Sequence, residues 1–348
     1  MKTVKYVALA LCMFGMLACK KSSSNNNNNN NGNPTDTTAP VVFAKGADIS
    51  WVTQMESSGS KFYDSAGVQT DCFQLMKSLG VNSIRLRVWV NPTGGWNDSV
   101  DVLNKAVRAK NLGMRVMLDF HYSDSWADPG KQNKPAAWTS LSTTGLINEV
   151  YTHTYNVINY LKAGGVTPAW IQVGNEVSDG MLWNDGLASA NMSNFAQMVS
   201  SGYAAAKAAD TSIKVIVHLP NGYDNGLYRW MFDSLTYYAA KWDIVGMSLY
   251  PTTNNYAALD AQCLTNMNDM VSRYGKQVMI CEVGMAADSA SYCKAFLTDL
   301  ISKVKSVNGN NGLGVFYWEP EAYNWQGYNL GAFDNTGKPT VALSAYAN

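Results

Sequence analysis

Charge is scarce in this chain. Asp, Glu, Lys and Arg make up 15% of the residues, and 26 basic side chains cancel 26 acidic ones. A protein that grips nucleic acid needs a basic patch. No basic cluster exists outside Lys20-Lys21, which argues against nucleic acid as a partner. Histidine is scarcer still, with 3 residues, and the 6 cysteines match no zinc spacing. No glycine-rich phosphate loop follows the first predicted strand, which weighs against a nucleotide-binding open sheet. No acidic cluster has calcium-loop spacing. Asp288 and Asp334 alone do not make one, so a structural calcium is compatible with the chain but unsupported, and no cofactor is expected to be required. Long apolar runs are missing too. The run at residues 6–17 is too short to span a bilayer.

That run reads as targeting rather than fold. Lys2 and Lys5 give it a charged start, and it ends in Met16-Leu17-Ala18-Cys19. A small residue before Cys resembles a bacterial lipoprotein cleavage box, which implies removal of residues 1–18 and lipidation of Cys19. Met16 stands where such boxes usually carry Leu. The alternative is an ordinary secretory signal. Residues 19–40 hold Lys, Ser, a run of seven Asn at 25–31, Gly, Pro and Thr. They can bury no face and read as a disordered tether. The expectation is an exported protein, lipid-anchored to the outer membrane, whose folded domain spans 41–348 and works as a monomer. Cys72, Cys263, Cys281 and Cys293 fall in that domain. A disulfide is permitted there without a readable pairing, and Cys281, inside an apolar run, is expected to be a buried thiol.

What the chain has is apolar and aromatic material: 47% hydrophobic residues, with 11 Trp and 19 Tyr. Aromatics fill cores, and they also stack on the apolar faces of sugars; composition does not choose between the two. Short apolar, β-branched runs recur at 42–48, 83–89, 114–121, 170–176, 213–219, 244–250, 277–282 and 314–319. They are near-continuous rather than alternating, which suits strands buried on both faces. Amphipathic stretches lie between them, at 71–79, 100–110, 148–162, 194–208 and 293–307 among others. Gly80, Gly113 and Gly275 fall where left-handed helix caps are expected. Eight such units predict a single (β/α)8 barrel. A doubly wound open sheet is the runner-up.

Active sites of such barrels lie at the C-terminal strand ends. The polar residues there are Asp48, then Arg85 and Arg87, then Asp119, His121 and Asp124, then Asn175 and Glu176, His218, Tyr250, Glu282, and finally Trp318 and Glu319. Buried ionisable groups are costly unless paired, so their recurrence at one end is improbable as packing. Glu176 and Glu282 end strands four and seven, across the mouth from one another. A lone carboxylate at a strand end also suits a following helix N-terminus. Two facing one cleft are the minimum equipment for glycoside hydrolysis.

Asn175-Glu176 and Glu282 resemble the signature of the large retaining clan of barrel glycosidases. The resemblance narrows with RLRVWVNP at 85–92, DFHYSDSWADP at 119–129, GNE at 174–176, LW at 182–183, SLYP at 248–251 and FYWEP at 316–320. These are similar to glycoside hydrolase family 53, the endo-β-1,4-galactanases, over essentially the whole domain. The resemblance implies cleavage of internal β-1,4-galactosidic bonds of galactan or type I arabinogalactan with retention, Glu176 being the acid/base and Glu282 the nucleophile. Arg85 could then keep Glu282 ionised, and Tyr250 could hold it. Asn175 would donate to the sugar's 2-hydroxyl, while His121 and His218 would orient these groups or bond the sugar. Trp318 would floor the central sugar site, and Trp126 and Trp183 would stack on flanking sugars. Asp48, Asp124 and Glu319 complete the expected substrate contacts. Family members often carry a long excursion after strand eight, whereas residues 321–340 are a short one. A mannanase or cellulase would share the barrel and both glutamates. A tethered glycan-binding protein would suit the anchor and the Trp content but has no use for opposed carboxylates. One prediction concerns the anchor. Cys19→Ala should move the protein from the membrane to the soluble fraction, and an unchanged distribution would rule out the lipid.

Overall fold

The computed structural model describes residues 42–347; the leader, Cys19 and the tether lie outside the described residues. Eight strands form among them: β1 (Ala44–Asp48), β2 (Ser83–Val88), β3 (Arg115–Phe120), β4 (Trp170–Val173), β5 (Lys214–Leu219), β6 (Ile244–Leu249), β7 (Gln277–Val283) and β8 (Gly312–Trp318). Each pairs in parallel with the next, and β8 pairs with β1 to close the barrel. The connecting helices are α2 (Cys72–Ser78), α3 (Ser99–Asn111), α4 (Thr143–Ala163), α5 (Ala188–Ala209), α6 (Asn225–Tyr237), α7 (Tyr256–Tyr274) and α8 (Ala290–Lys305). A short α1 (Val52–Ser57) sits in the loop after β1. The eighth crossover position holds only a 3₁₀ segment, Val341–Ala347, instead of an α-helix. The architecture is the single (β/α)8 barrel that the strand rhythm predicts.

Local chemistry sets the helix starts. Asp71, Asp98 and Ser142 each accept a backbone N–H of the first turn of α2, α3 and α4. Gly80, Gly113 and Gly275 take positive φ just past α2, α3 and α7. Strands are shorter than predicted where the backbone leaves the ladder. β4 stops at Val173 because Gly174 turns at φ 86° and Glu176 at φ 47°. Glu176 therefore lies in the loop beyond the strand.

Alternation along the strands sorts side chains into two cores. Outward residues pack against the helices. Inward residues, among them Ala44, Met117, Trp170, Ile216, Met279, Cys281 and Phe316, fill the bottom of the barrel. The next inward layer is polar: Asp48, Arg85, Asp119, Gln172, His218 and Ser248, all buried. β7 breaks the alternation. Its register on β6 slips between Met247↔Ile280 and Ser248↔Glu282, a bulge at Cys281. Under strict alternation Glu282 would point to the opposite face from inward Cys281. All four domain cysteines are buried free thiols.

Space at the barrel bottom is tight where β1 meets β8. A Cβ at Gly46 would fall 2.1 Å from the Phe316 ring. Gly46→Ala should cost about 1–3 kcal/mol by overpacking, read as a lower urea midpoint. An unchanged midpoint would show that Phe316 has room to move.

Candidate active site

Arg85 is the centre of the polar layer. It is 1% exposed and employs every guanidinium nitrogen. Nε donates to Gln172 Oε1 at 2.7 Å. Nη1 meets Asp48 Oδ2 at 2.7 Å and Glu282 Oε2 at 3.1 Å. Nη2 meets Asp119 Oδ2 at 2.8 Å and Asn175 Oδ1 at 2.9 Å. Burial works against its charge, but Asp119, Glu282 and Asp48 outweigh burial and keep the guanidinium protonated. Burial likewise works against ionised Asp119, yet Arg85 and His121 hold that carboxyl down at about 2.

The two histidines of this layer are orienting groups with defined tautomers. His121 Nδ1 accepts the Ala127 N–H at 3.0 Å, so Nε2 carries the proton and donates to Asp119 at 3.0 Å. His218 Nδ1 faces the Gln172 amide nitrogen at 2.9 Å, and its Nε2 faces Ser248 Oγ at 2.8 Å. Gln172 Oε1 is taken by Arg85, so its NH2 donates to His218, and Nε2–H of His218 donates to Ser248. Burial, helped by Arg85, holds His218 down at about 3, so the ring is neutral.

Glu282 accepts from the Tyr250 hydroxyl at 2.7 Å in addition to its ion pair with Arg85. Glu176 is half-buried and reaches the same site from the loop after β4. Its N–H points to His218 Nδ1 at 3.4 Å, and the neighbouring Ser248 hydroxyl favours the ionised form of its carboxyl. Burial raises both carboxyls above their ordinary value, Arg85 opposes the rise at both, and the charge of Glu176 adds to it at Glu282. The two titrate together. Glu282 has the ion pair and the phenol, whereas Glu176 makes no ion pair among the described residues. The pair's negative charge therefore belongs on Glu282 and its proton on Glu176.

Aromatic rings form one wall. Trp51 lies 5.4 Å from Trp318 and 5.6 Å from Trp126, measured between ring centroids. Trp318 lies 5.8 Å from Trp126 and 4.9 Å from Tyr328. Most of these contacts are edge to face, a favoured geometry for aromatic pairs.

Three residues expected to meet a sugar are wholly buried instead. Asp48 is wholly buried, its oxygens taken by Arg85 and by the N–H and hydroxyl of Ser50. Glu319 is wholly buried against Arg87 and the Trp51 N–H, and His218 is wholly buried as described. Asp124 braces loops, one oxygen accepting the Asn91 N–H and the other the Ala136 N–H. Trp183, half-buried, donates its indole N–H to Asp179 O at 2.8 Å. Gln172, Ser248, Trp51 and Tyr328 were not singled out from sequence. Gln172 carried a signal, being a polar residue inside an apolar strand, where it must find partners. Among the described residues no group of three or more His, Cys, Asp or Glu could hold a metal ion.

The model of Glycosyl hydrolase family 53 matches residues 44–294 and 287–346. The chain belongs to this family. An arabinogalactan endo-beta-1,4-galactanase A of Emericella nidulans is 33% identical, covering 86% of this chain and 91% of that protein. A family 53 catalytic domain from Ignisphaera aggregans superposes with a TM-score of 0.80 at 30% identity, covering 90% of this chain and 98% of that one. A fungal beta-1,4-galactanase structure gives 0.80 at 28%, covering 88% and 99%. A xylanase from Cellvibrio japonicus, at 16% identity and TM-score 0.64, shares the fold.

The family 53 barrel here depends on Arg85, and stability tests that dependence. Arg85→Met leaves Asp48, Asp119 and Glu282 buried without their cation, a loss of about 3–5 kcal/mol. The stranded carboxyls have folded pKa values raised above the unfolded ones, so the deficit is largest near neutral pH. It should shrink as pH falls and they take up protons. Urea denaturation at neutral pH and at mildly acid pH reads both; a deficit independent of pH would contradict this account.

Proposed function

We propose that this family 53 protein is a retaining endo-β-1,4-galactanase acting on galactan or type I arabinogalactan. The observation that carries the reading is the unequal pair: Glu282 with Arg85 and Tyr250, Glu176 with only the Ser248 hydroxyl for company. Glu282, ionised, attacks the anomeric carbon. As that bond forms, the bond to the glycosidic oxygen breaks, and the Glu176 proton passes to the departing oxygen. The sugar is left as an ester of Glu282. Glu176, now a carboxylate, takes a proton from water as that water attacks the same carbon, and Glu282 is released.

The neighbours divide the labour. His218 and Ser248 form a neutral relay that orients Glu176 without competing for its proton. Asn175 gives one amide hydrogen to Ala127 O, which leaves the other for the 2-hydroxyl. Trp318, in the aromatic wall, floors the central sugar, and Trp126 and Trp183 lie in loops that flank it. The relatives named as galactanases support galactan over mannan or cellulose. The charged leader, Cys19 and the Asn-rich tether support an exported enzyme lipid-anchored to the outer membrane; it acts in this reading as a monomer, with the polysaccharide as its partner and no cofactor.

Product analysis on β-1,4-galactan, mannan and cellulose tests the reading. Galactan should yield internal-cleavage oligosaccharides. Glu176→Gln and Glu282→Gln should each lose about 10²–10⁴-fold or more in kcat. Cleavage of mannan without galactan would overturn the substrate, and full activity in either variant would remove that residue's role.

A further inference from the structure

A second buried cation sits behind the aromatic wall, with no part in the reaction as described. Arg87 lies two residues along β2 from Arg85 and is 1% exposed. Its Nη1 donates to Glu319 Oε1 at 2.5 Å. Its Nε and Nη2 meet no acceptor. The guanidinium carbon instead lies 4.2 Å from the ring centroid of Trp126, 5.2 Å from that of Trp51 and 5.3 Å from that of Trp89. Three indoles thus stand in for the missing acceptors, the arrangement in which a desolvated cation and a π face attract most strongly.

The anchor behind this cation is also fixed. Glu319 Oε2 accepts the Trp51 N–H at 3.1 Å, so the carboxylate that holds Arg87 also holds the backbone of a wall residue. Glu321 is wholly buried, and burial together with the charge of Glu319 raises its carboxyl well above the ordinary carboxylate range. With Arg87 beside Glu319, the charge stays on Glu319 and the proton on Glu321.

We propose that Arg87 is a positioning residue for sugar stacking: its indole-caged guanidinium, pinned by Glu319, fixes the plane of Trp126 and, through the edge contact of Trp126 with Trp318, that of Trp318. The inference deepens the galactanase reading and rests on it. The Arg87 side chain shares no hydrogen bond with the Arg85, Glu176 and Glu282 network. Its loss should therefore loosen sugar binding more than it slows the bond-breaking step.

The experiment compares the full chain with its Arg87→Met variant on β-1,4-galactan. KM should rise about tenfold while kcat falls by no more than about threefold. In a Glu176→Gln background, Arg87→Met should also blunt the Trp fluorescence change on titration with a galacto-oligosaccharide. A folded Arg87→Met with unchanged KM overturns the proposal, as does a fall confined to kcat. Should that variant not fold, a double-mutant cycle of Arg87→Lys with Trp126→Phe decides. Losses in kcat/KM that are smaller together than their product support positioning, and independent losses overturn it. A parent protein inactive on galactan would bring down the functional reading itself, a result distinct from any of these.

Discussion

One buried guanidinium sets the terms for the mouth of this barrel. Arg85 is ringed by Asp48, Asp119 and Glu282, with Gln172 and Asn175 taking its remaining N–H groups. Ions held out of water are tolerated only when paired and fully hydrogen-bonded, and here the pairing reaches across strands β1, β2, β3, β4 and β7 and the loop after β4. The cation therefore does two jobs with one charge. It ties the strand ends together, and it leaves only one member of the Glu176–Glu282 pair with a counter-charge in contact. The chemical asymmetry of the pair follows from where Arg85 points.

The backbone supplies the rest of that asymmetry. Regular alternation would turn Glu282 away from the cleft, and the bulge at Cys281 turns it in. Glu176 arrives by a different route, through positive φ at Gly174 and at Glu176 itself. Positive φ is uncommon for a glutamate, and such conformations persist where their surroundings fix them. The surroundings here are His218, which meets the Glu176 N–H, and Ser248, whose hydroxyl neighbours its carboxyl. Both carboxyls are thus presented by irregular backbone resting on a regular barrel.

This division explains what could be read from the sequence. Strand positions were legible because buried parallel strands are near-continuous apolar runs, and the polar residues at their ends stood out against them. The bulge was not legible, since it changes no residue type. Nor was the bracing role of Asp124 legible, because an aspartate in a loop looks the same whether it meets a hydroxyl or backbone N–H groups. Asp48 and Glu319 were correctly seen at strand ends, but depth within the mouth depends on register, which composition does not report. The crossover after β8 lacks a regular helix, a departure that the eightfold rhythm hid.

Arg85 and Arg87 show how two like residues on one strand come to differ. They lie two positions apart, so both point inward, but one level changes everything around them. At the level of Arg85 the neighbouring strands supply carboxylates, and the cation acts by charge. At the level of Arg87 they supply indoles and a single ionised carboxyl, and the cation acts by shape and by its attraction to ring faces. A lysine could partly serve the first role as a point charge. It could not serve the second, because only a flat guanidinium can lie against one indole while donating in its own plane to Glu319. The strand thus carries electrostatic control of the reacting pair and mechanical control of the stacking wall on adjacent rungs, which lets either be altered with limited effect on the other.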